Sequence, residues 1–241
     1  MRVKYADVVF DVRYECREAD RLFERYETDE PADEHVVITE EDLTKTFIMV
    51  NDFGFRKNAQ WNLLEEDLVF YAAHMKMCPL LLAHDVLVFH GAGVAVDNRG
   101  YVFLAPHDTG KTTHVKHWQS CFGDKAELID DDKLFIKASD DGFYVYGTGW
   151  APYTRPAMVG GVPLACVTGI RRGPENRIGQ MDADAAMRLT TRHGYRAKDP
   201  MQLLKCISLC DRIVKSVPFA SLECINDISA ASVAYEYLSR A

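Results

Sequence analysis

A short apolar run, Tyr101-Val102-Phe103-Leu104, passes without a break into Ala105-Pro106-His107-Asp108-Thr109-Gly110-Lys111-Thr112-Thr113. No other stretch restricts the fold as much. The pattern is a strand, a loop of the GxxxxGK[ST] type and a helix start, with Ala105 in place of the first glycine. Such a loop gathers backbone N–H groups at a helix N-terminus, where the helix dipole also favours an anion. Lys111 adds a point charge that reaches β- and γ-phosphates, and Thr112 adds a hydroxyl for Mg²⁺. Asp108, Thr109, Gly110, Lys111, Thr112 and Thr113 are the expected nucleotide-binding residues.

Further on, Leu128-Ile129-Asp130-Asp131-Asp132 reads as an apolar strand ending in acid. One carboxylate there can hold a metal, directly or through water. A second can take the proton of an attacking hydroxyl. Asp131 and Asp132 are the candidates, with Thr112 as a further metal ligand, and the residues leave open which acid has which role. A bare GKT tripeptide says little; strand, loop and acidic strand end together say much more. Upstream, residues 86–89 and 101–104 are apolar runs with a Gly-rich, partly alternating stretch, 91–96, between them. Asp97-Asn98-Arg99-Gly100 is dense in turn formers, so the pair reads as an antiparallel hairpin, with His90-Gly91 on the partner of the loop-bearing strand.

The succession Phe89-His90-Gly91, then 104–113, then Ile129 to Asp132 resembles the family of HPr kinases and ATP-dependent phosphoenolpyruvate carboxykinases. There a histidine-bearing strand, a hairpin, a P-loop and paired aspartates follow in that order. Tyr146-Gly147-Thr148-Gly149-Trp150 is similar to a Gly-Thr-Pro-Trp segment of small relatives often linked to peptide-modification systems. The resemblance implies an α/β fold: a mixed, partly antiparallel sheet with helices packed on it. It implies a kinase-type transferase using ATP and Mg²⁺, with Mn²⁺ as a substitute, and an active-site role for His90. In the carboxykinases the matching histidine looks toward a transition metal. True carboxykinase activity is not expected, since the chain is short and the full set of substrate-binding arginines and the metal-binding lysine cannot be placed.

The family usually has Gly, Ser and Gly where this chain has Ala105, His107 and Asp108. Asp108 matters most. It sets a carboxylate beside the phosphates, although Asp tolerates a left-handed backbone better than most residues. Three readings follow. The first is ATP- and Mg²⁺-dependent phosphoryl transfer to a hydroxyl of an unknown acceptor: a peptide, a small protein or a small metabolite. The second is a nucleotide-binding regulator without catalysis. The third is a peptide-binding scaffold that has lost nucleotide.

Residues 147–163 form a loop with four glycines and three prolines that also carries Trp150, Tyr153 and Arg155. Loops of this kind often hold substrate contacts. Arg155 is the candidate there, since a guanidinium pairs with phosphate in bidentate fashion. Arg171-Arg172-Gly173 is a second candidate for phosphate or an acidic substrate. His107, His114 and His117 read as polar surface or edge residues; His114 and His117 share a helix face, but no acidic ligand sits at matching spacing for zinc.

The formal net charge of −8 disfavours nonspecific nucleic-acid binding. No apolar run reaches the length of a membrane span. The N-terminus has no signal-peptide pattern, and the seven cysteines show no CxxC spacing, so the expectation is a cytoplasmic protein with reduced thiols. A homo-oligomer is left open. Residues 1–78 read as an N-terminal strand-rich layer with a helix, and 79–241 as the P-loop core. In the first part the pattern predicts strands over 8–14, 35–39 and 46–50, a short helix over 18–26 and a turn at Gly54. A helix then carries Trp61, Leu64, Leu68 and Tyr71, and Pro79 breaks it. In the second part it predicts helices over 111–121, 182–192, 200–215 and 229–239. It also predicts a hairpin from 133–138 and 143–146, and strands at 164–170 and 217–225. The third of these helices should turn Leu203, Leu204, Ile207 and Ile213 inward.

Overall fold

The structure is a computed structural model that describes residues 1–56, 63–150 and 157–240. Trp61 and Arg155, both singled out above, lie outside the described residues. The chain forms two compact units, Met1–Leu81 and Leu82–Ala241.

In the first unit, β1 (Arg2–Tyr5) and β2 (Val8–Arg13) pair antiparallel, and β3 (Glu34–Val37) lies parallel to β2. The turn between β1 and β2 holds Ala6 and Asp7 at positive φ, as a two-residue hairpin turn requires. A short helix, α1 (Asp20–Phe23), follows β2. α2 spans Glu40–Arg56 and α3 spans Glu65–Leu81. Residues 46–50, expected as a strand, belong to α2, and so does Gly54, expected in a turn. The reason is local. The Thr39 hydroxyl and N–H donate to Asp42 Oδ2 at 2.7 and 2.9 Å, and Asp42 N–H donates back to Thr39 Oγ1 at 3.3 Å. That reciprocal cap starts a helix that β-branched residues then follow. Thr46 and Val50, one turn apart, are buried, while Phe47, Ile48 and Met49 face outward. Pro79 does not break α3; the helix runs two residues past it.

The second unit holds β4 (Val86–His90), β5 (Ala92–Val96), β6 (Arg99–Leu104), α4 (Lys111–Phe122), β7 (Ala126–Asp130), β8 (Lys133–Ser139) and β9 (Gly142–Gly147). After these come β10 (Gly161–Arg172), β11 (Arg177–Gln180), α5 (Ala183–His193), α6 (Pro200–Ser216), β12 (Phe219–Cys224) and α7 (Ser229–Leu238). They build one mixed sheet in the order β4-β8-β9-β10-β6-β5-β7, with β12 also paired to β10 and β11 to β12. β6, β10 and β12 are parallel to one another; the other pairings are antiparallel. The expected α/β class with a mixed, partly antiparallel sheet is what the chain adopts.

The hairpin before the loop differs from expectation in its partner. β5, not residues 86–89, pairs with β6, through a turn with Asp97 and Asn98 at positive φ. β4 pairs with β8 instead. The reason is a double bend. β4 and β5 are one run of chain bent at Gly91, and β7 and β8 are another bent at Asp131-Asp132. The two runs pair on both sides of the bend: His90 with Lys133 before it and Gly93 with Asp130 after it, with Gly91 N–H donating to Asp132 O at 3.1 Å between them. A side chain at position 91 would meet Leu104 Cδ2 at 2.6 Å and Phe103 O at 3.0 Å, so the close approach at the bend favours glycine.

Alternation along β6 splits the core into two clusters. Tyr101 and Phe103 pack with Val115 and Trp118 of α4 and with Ala231, Ala234 and Leu238 of α7. Val102 and Leu104 pack on the other face with Ala186 of α5 and Leu209 and Ile213 of α6. The buried side of α6 is Cys206, Leu209, Cys210 and Ile213. Leu203, Leu204 and Ile207, expected inward, are exposed, and Met201 beside them is 73% exposed. The helix is apolar on more than one side, so periodicity alone offered several faces. On α7, Ala230, Ala231 and Ala234 face in and Tyr237 is exposed.

Candidate functional site

The parallel strands β6, β10 and β12 all end at the same edge, which is where open α/β sheets place their ligands. β6 delivers the loop. Asp108 sits in the left-handed region at φ 60, and Gly110 precedes α4 at φ 115. The departure at Asp108 therefore keeps the loop's turn. His114 N–H donates to Gly110 O at 2.8 Å, so the helix begins directly at Lys111.

Lys111 is buried, 6% exposed. Its ammonium donates to Ala105 O at 2.9 Å and Pro106 O at 3.2 Å. Burial pushes its pKa down, and the carboxylates of Asp132 and Asp108 push back. Thr112 Oγ1 donates to Asp131 O at 3.4 Å, which ties the first turn of α4 to the acidic bend.

The acidic triplet divides into one buried anchor and two residues that line a cavity. Asp130 is buried, 3% exposed, and its carboxylate accepts throughout. Oδ1 takes the N–H groups of Asp131 and Asp132 at 2.7 and 3.3 Å. Oδ2 takes the N–H groups of Thr148 and Gly149 at 2.9 and 3.0 Å, and the Thr148 hydroxyl at 3.1 Å. Burial raises its pKa, and the backbone N–H bonds oppose that rise. Asp132 stands between His90 Nδ1 at 3.3 Å and Lys133 Nζ at 2.7 Å. Burial works against its charge, but the His90 bond and Lys133 outweigh it and hold the carboxyl well below the usual range. Lys133 Nζ also lies 5.2 Å from the centre of the Trp150 ring.

His90, Asp108, Gly110, Lys111, Thr112, Thr113, Asp131 and Asp132, all expected as site residues, line one cavity of about 530 Å³ together with His107 and Arg172. Thr109 lines a second cavity of about 410 Å³, which shares Gly110, Thr113 and Arg172 with the first and is closed by His117, Ile170 and Ile225 among others. Among the residues that line the first cavity, Asp131, Asp132 and Thr112 offer two carboxylates and a hydroxyl, all oxygen donors, and that set fits Mg²⁺, which takes one or two carboxylates and fills its sphere with phosphate and water. Among the described residues, no three His, Cys, Asp or Glu side chains converge as a metal-ligand group.

His107 and His193 carried no assigned site role in the sequence, whereas Arg172 was a candidate for phosphate or an acidic substrate. The His107 ring centre lies 4.8 Å from that of His90, across the loop. Residues Phe89 and Gly194 form an isolated bridge, which brings His193, at the end of α5, beside β4. Burial first, then His90, Lys111 and Arg192, lower His193 to a pKa of about 4. The Nε2 atoms of both His90 and His193 are buried without a hydrogen-bond partner among the described residues. Arg172 reaches the loop itself: Nη2 donates to Asp108 O at 2.5 Å and Nε to Thr109 O at 3.3 Å. Only long-range pairing could place these side chains together. His114, expected at the surface, is a core residue, 3% exposed, and its Nε2 accepts from Trp118 Nε1 at 3.0 Å.

No family model matches the chain, and no curated protein matches it. Among solved structures it is similar to the Hpr(Ser) kinase/phosphatase from Coxiella burnetii, with a TM-score of 0.35 and 11% identity, over 64% of this chain and 97% of that one. At that level the likeness carries no weight for function. No described helix is long and apolar enough to cross a membrane.

Proposed function

We propose that this chain binds ATP with Mg²⁺ at residues 108–113 and transfers the terminal phosphoryl group to a hydroxyl of a peptide, a small protein or a small metabolite. The observation that carries this reading is that Lys111, Thr112, Asp131 and Asp132 open on one cavity at the N-terminus of α4. The loop N–H groups and Lys111 take the phosphate oxygens. Bound Mg²⁺ supplies charge neutralisation between the phosphates and the carboxylates. Asp132, held ionised between His90 and Lys133, suits the metal, because a ligand must be deprotonated and a carboxyl of low pKa is a poor base. Asp131 is then the group that accepts the acceptor's proton. Asp130 fixes the direction of both through their backbone. Positioning and charge stabilisation do most of the work.

Calorimetric titration of ATP and Mg²⁺ into the wild type and Lys111→Ala tests the reading. Saturable binding that the variant loses is the expected result. A folded wild type that takes up no heat would end it.

A nucleotide-binding regulator without transfer is the second reading. It is favoured by the Lys111 ammonium already donating to two loop carbonyls. It predicts binding with no release of ADP against any hydroxyl acceptor.

A further inference from the structure

The loop carries a negative side chain where a phosphate site needs none, and the fold brings an arginine to the backbone of the same loop. We infer that Arg172 is a phosphate-binding and loop-positioning residue that offsets the Asp108 carboxylate, so that the altered loop still accepts a polyphosphate. This rests on the nucleotide reading above.

Arg172 is the last residue of β10, beside the loop that follows β6, and it registers with Cys224 of β12. Its guanidinium donates to the carbonyls of Asp108 and Thr109. Those carbonyls belong to the left-handed residue and its successor, so one planar fork holds the shape that Asp108 must keep. The neighbouring residues cannot replace it. The guanidinium of Arg171 is paired with Glu223 at 2.5 Å. Gly173 lies so close to Glu223 that an added Cβ would sit 2.0 Å from its Cγ. The strand end is thereby fixed with one arginine turned to the loop.

The position matters as much as the bonds. Arg172, Gly110 and Thr113 are the wall that the two cavities share. A polyphosphate whose terminal group lies at Asp131 and Asp132 and which runs on along the loop passes this wall. The Asp108 carboxylate lines the same cavity and acts on Lys111 through space. On this inference the Arg172 charge offsets that of Asp108 in the cavity both residues line, and the Lys111 charge is left for the ligand.

The test is titration of ATP·Mg²⁺ and, separately, inorganic tripolyphosphate·Mg²⁺ into five proteins: wild type, Arg172→Gln, Arg172→Lys, Asp108→Asn, and Asp108→Asn combined with Arg172→Gln. Thermal melts check that each is folded. Loss of a charge-assisted contact predicts an increase in Kd of about tenfold to a hundredfold for Arg172→Gln, with Arg172→Lys between it and wild type. The charge offset predicts that Asp108→Asn in the same chain restores at least half of that loss on a logarithmic scale. Both probes should behave alike, because the contact is with phosphate. Wild-type affinity in Arg172→Gln overturns the inference. So does a loss that is the same whichever residue stands at position 108. If Arg172→Gln fails to fold, the cycle is run with Arg172→Met, which also removes the charge, under the same criteria. Failure of the nucleotide reading shows differently: the wild type then binds neither probe, or Lys111→Ala binds as well as wild type.

Discussion

Asp130 Oδ2 accepts both the backbone N–H of Thr148, at 2.9 Å, and its hydroxyl, at 3.1 Å. The same carboxylate holds the N–H groups of Asp131 and Asp132 through its other oxygen. One buried side chain thus joins the acidic bend to the Thr148-Gly149 segment, and its role is structural. The two acids that follow it face the cavity.

Asp130→Asn should destabilise the protein by about 2–3 kcal/mol, because the amide turns an N–H₂ group toward donors and leaves buried N–H groups unpaired. Urea denaturation measures this. A loss under about 0.5 kcal/mol, the range of an ordinary surface change, would mean that the five bonds do not define the bend.

Asp131 and Asp132 should separate kinetically. Asp131→Asn is expected to leave Mg²⁺-dependent nucleotide binding near wild type and to slow transfer by about 10²–10⁴-fold, the usual effect of losing a general base. Asp132→Asn should instead weaken the Mg²⁺ dependence of binding. Titrating ATP at several Mg²⁺ concentrations distinguishes the two, and the reverse pattern exchanges the roles.

Stability should fall with acid through His114. Its pKa is lowered to about 3 by burial, with a smaller effect of His117. The unfolded state takes a proton below about 6.5 while the folded state does not. Stability from this residue is therefore complete above about pH 6.5 and falls by about 1.4 kcal/mol per pH unit as pH drops toward 3. His114→Gln keeps an acceptor for Trp118 and removes the titration. Urea midpoints from pH 7 to pH 4 should show a shallower decline in the variant; parallel curves would assign the acid sensitivity elsewhere.

The two faces of α6 should differ sharply. Leu209→Ala, in the core, should cost about 2–5 kcal/mol. Leu204→Ser, 60% exposed, should stay within about 0.5 kcal/mol. Equal losses at the two positions would contradict the observed orientation of the helix.

The loop, its helix and the acidic strand end were legible because each is a local pattern. Residues 105–113 carry their turn chemistry and helix start within one short stretch, and the 128–132 run announces a strand end with acid. The 133–139 and 142–147 hairpin was legible for the same reason, since Gly142 takes the positive φ its turn needs. Residues 46–50 misled because their β-branched composition said strand, while the Thr39–Asp42 cap just before them starts a helix. The partner of the loop strand was misread because two apolar runs, 86–90 and 92–96, are both suitable partners. Long-range pairing decided between them: the first run pairs with β8 and the second with β6, on either side of the bend at Gly91.

By itself the sequence determined an α/β unit with a Gly-Lys-Thr loop at a helix start and an acidic strand end. Those follow from residue types within a few positions of one another. Tertiary structure alone decided that Asp130 is buried, that Asp132 lies against His90 and Lys133, and that Arg172 reaches the loop from β10. Each of those contacts depends on strand register between segments far apart in the chain. A shift of one residue turns every side chain to the opposite face, and no local pattern fixes it.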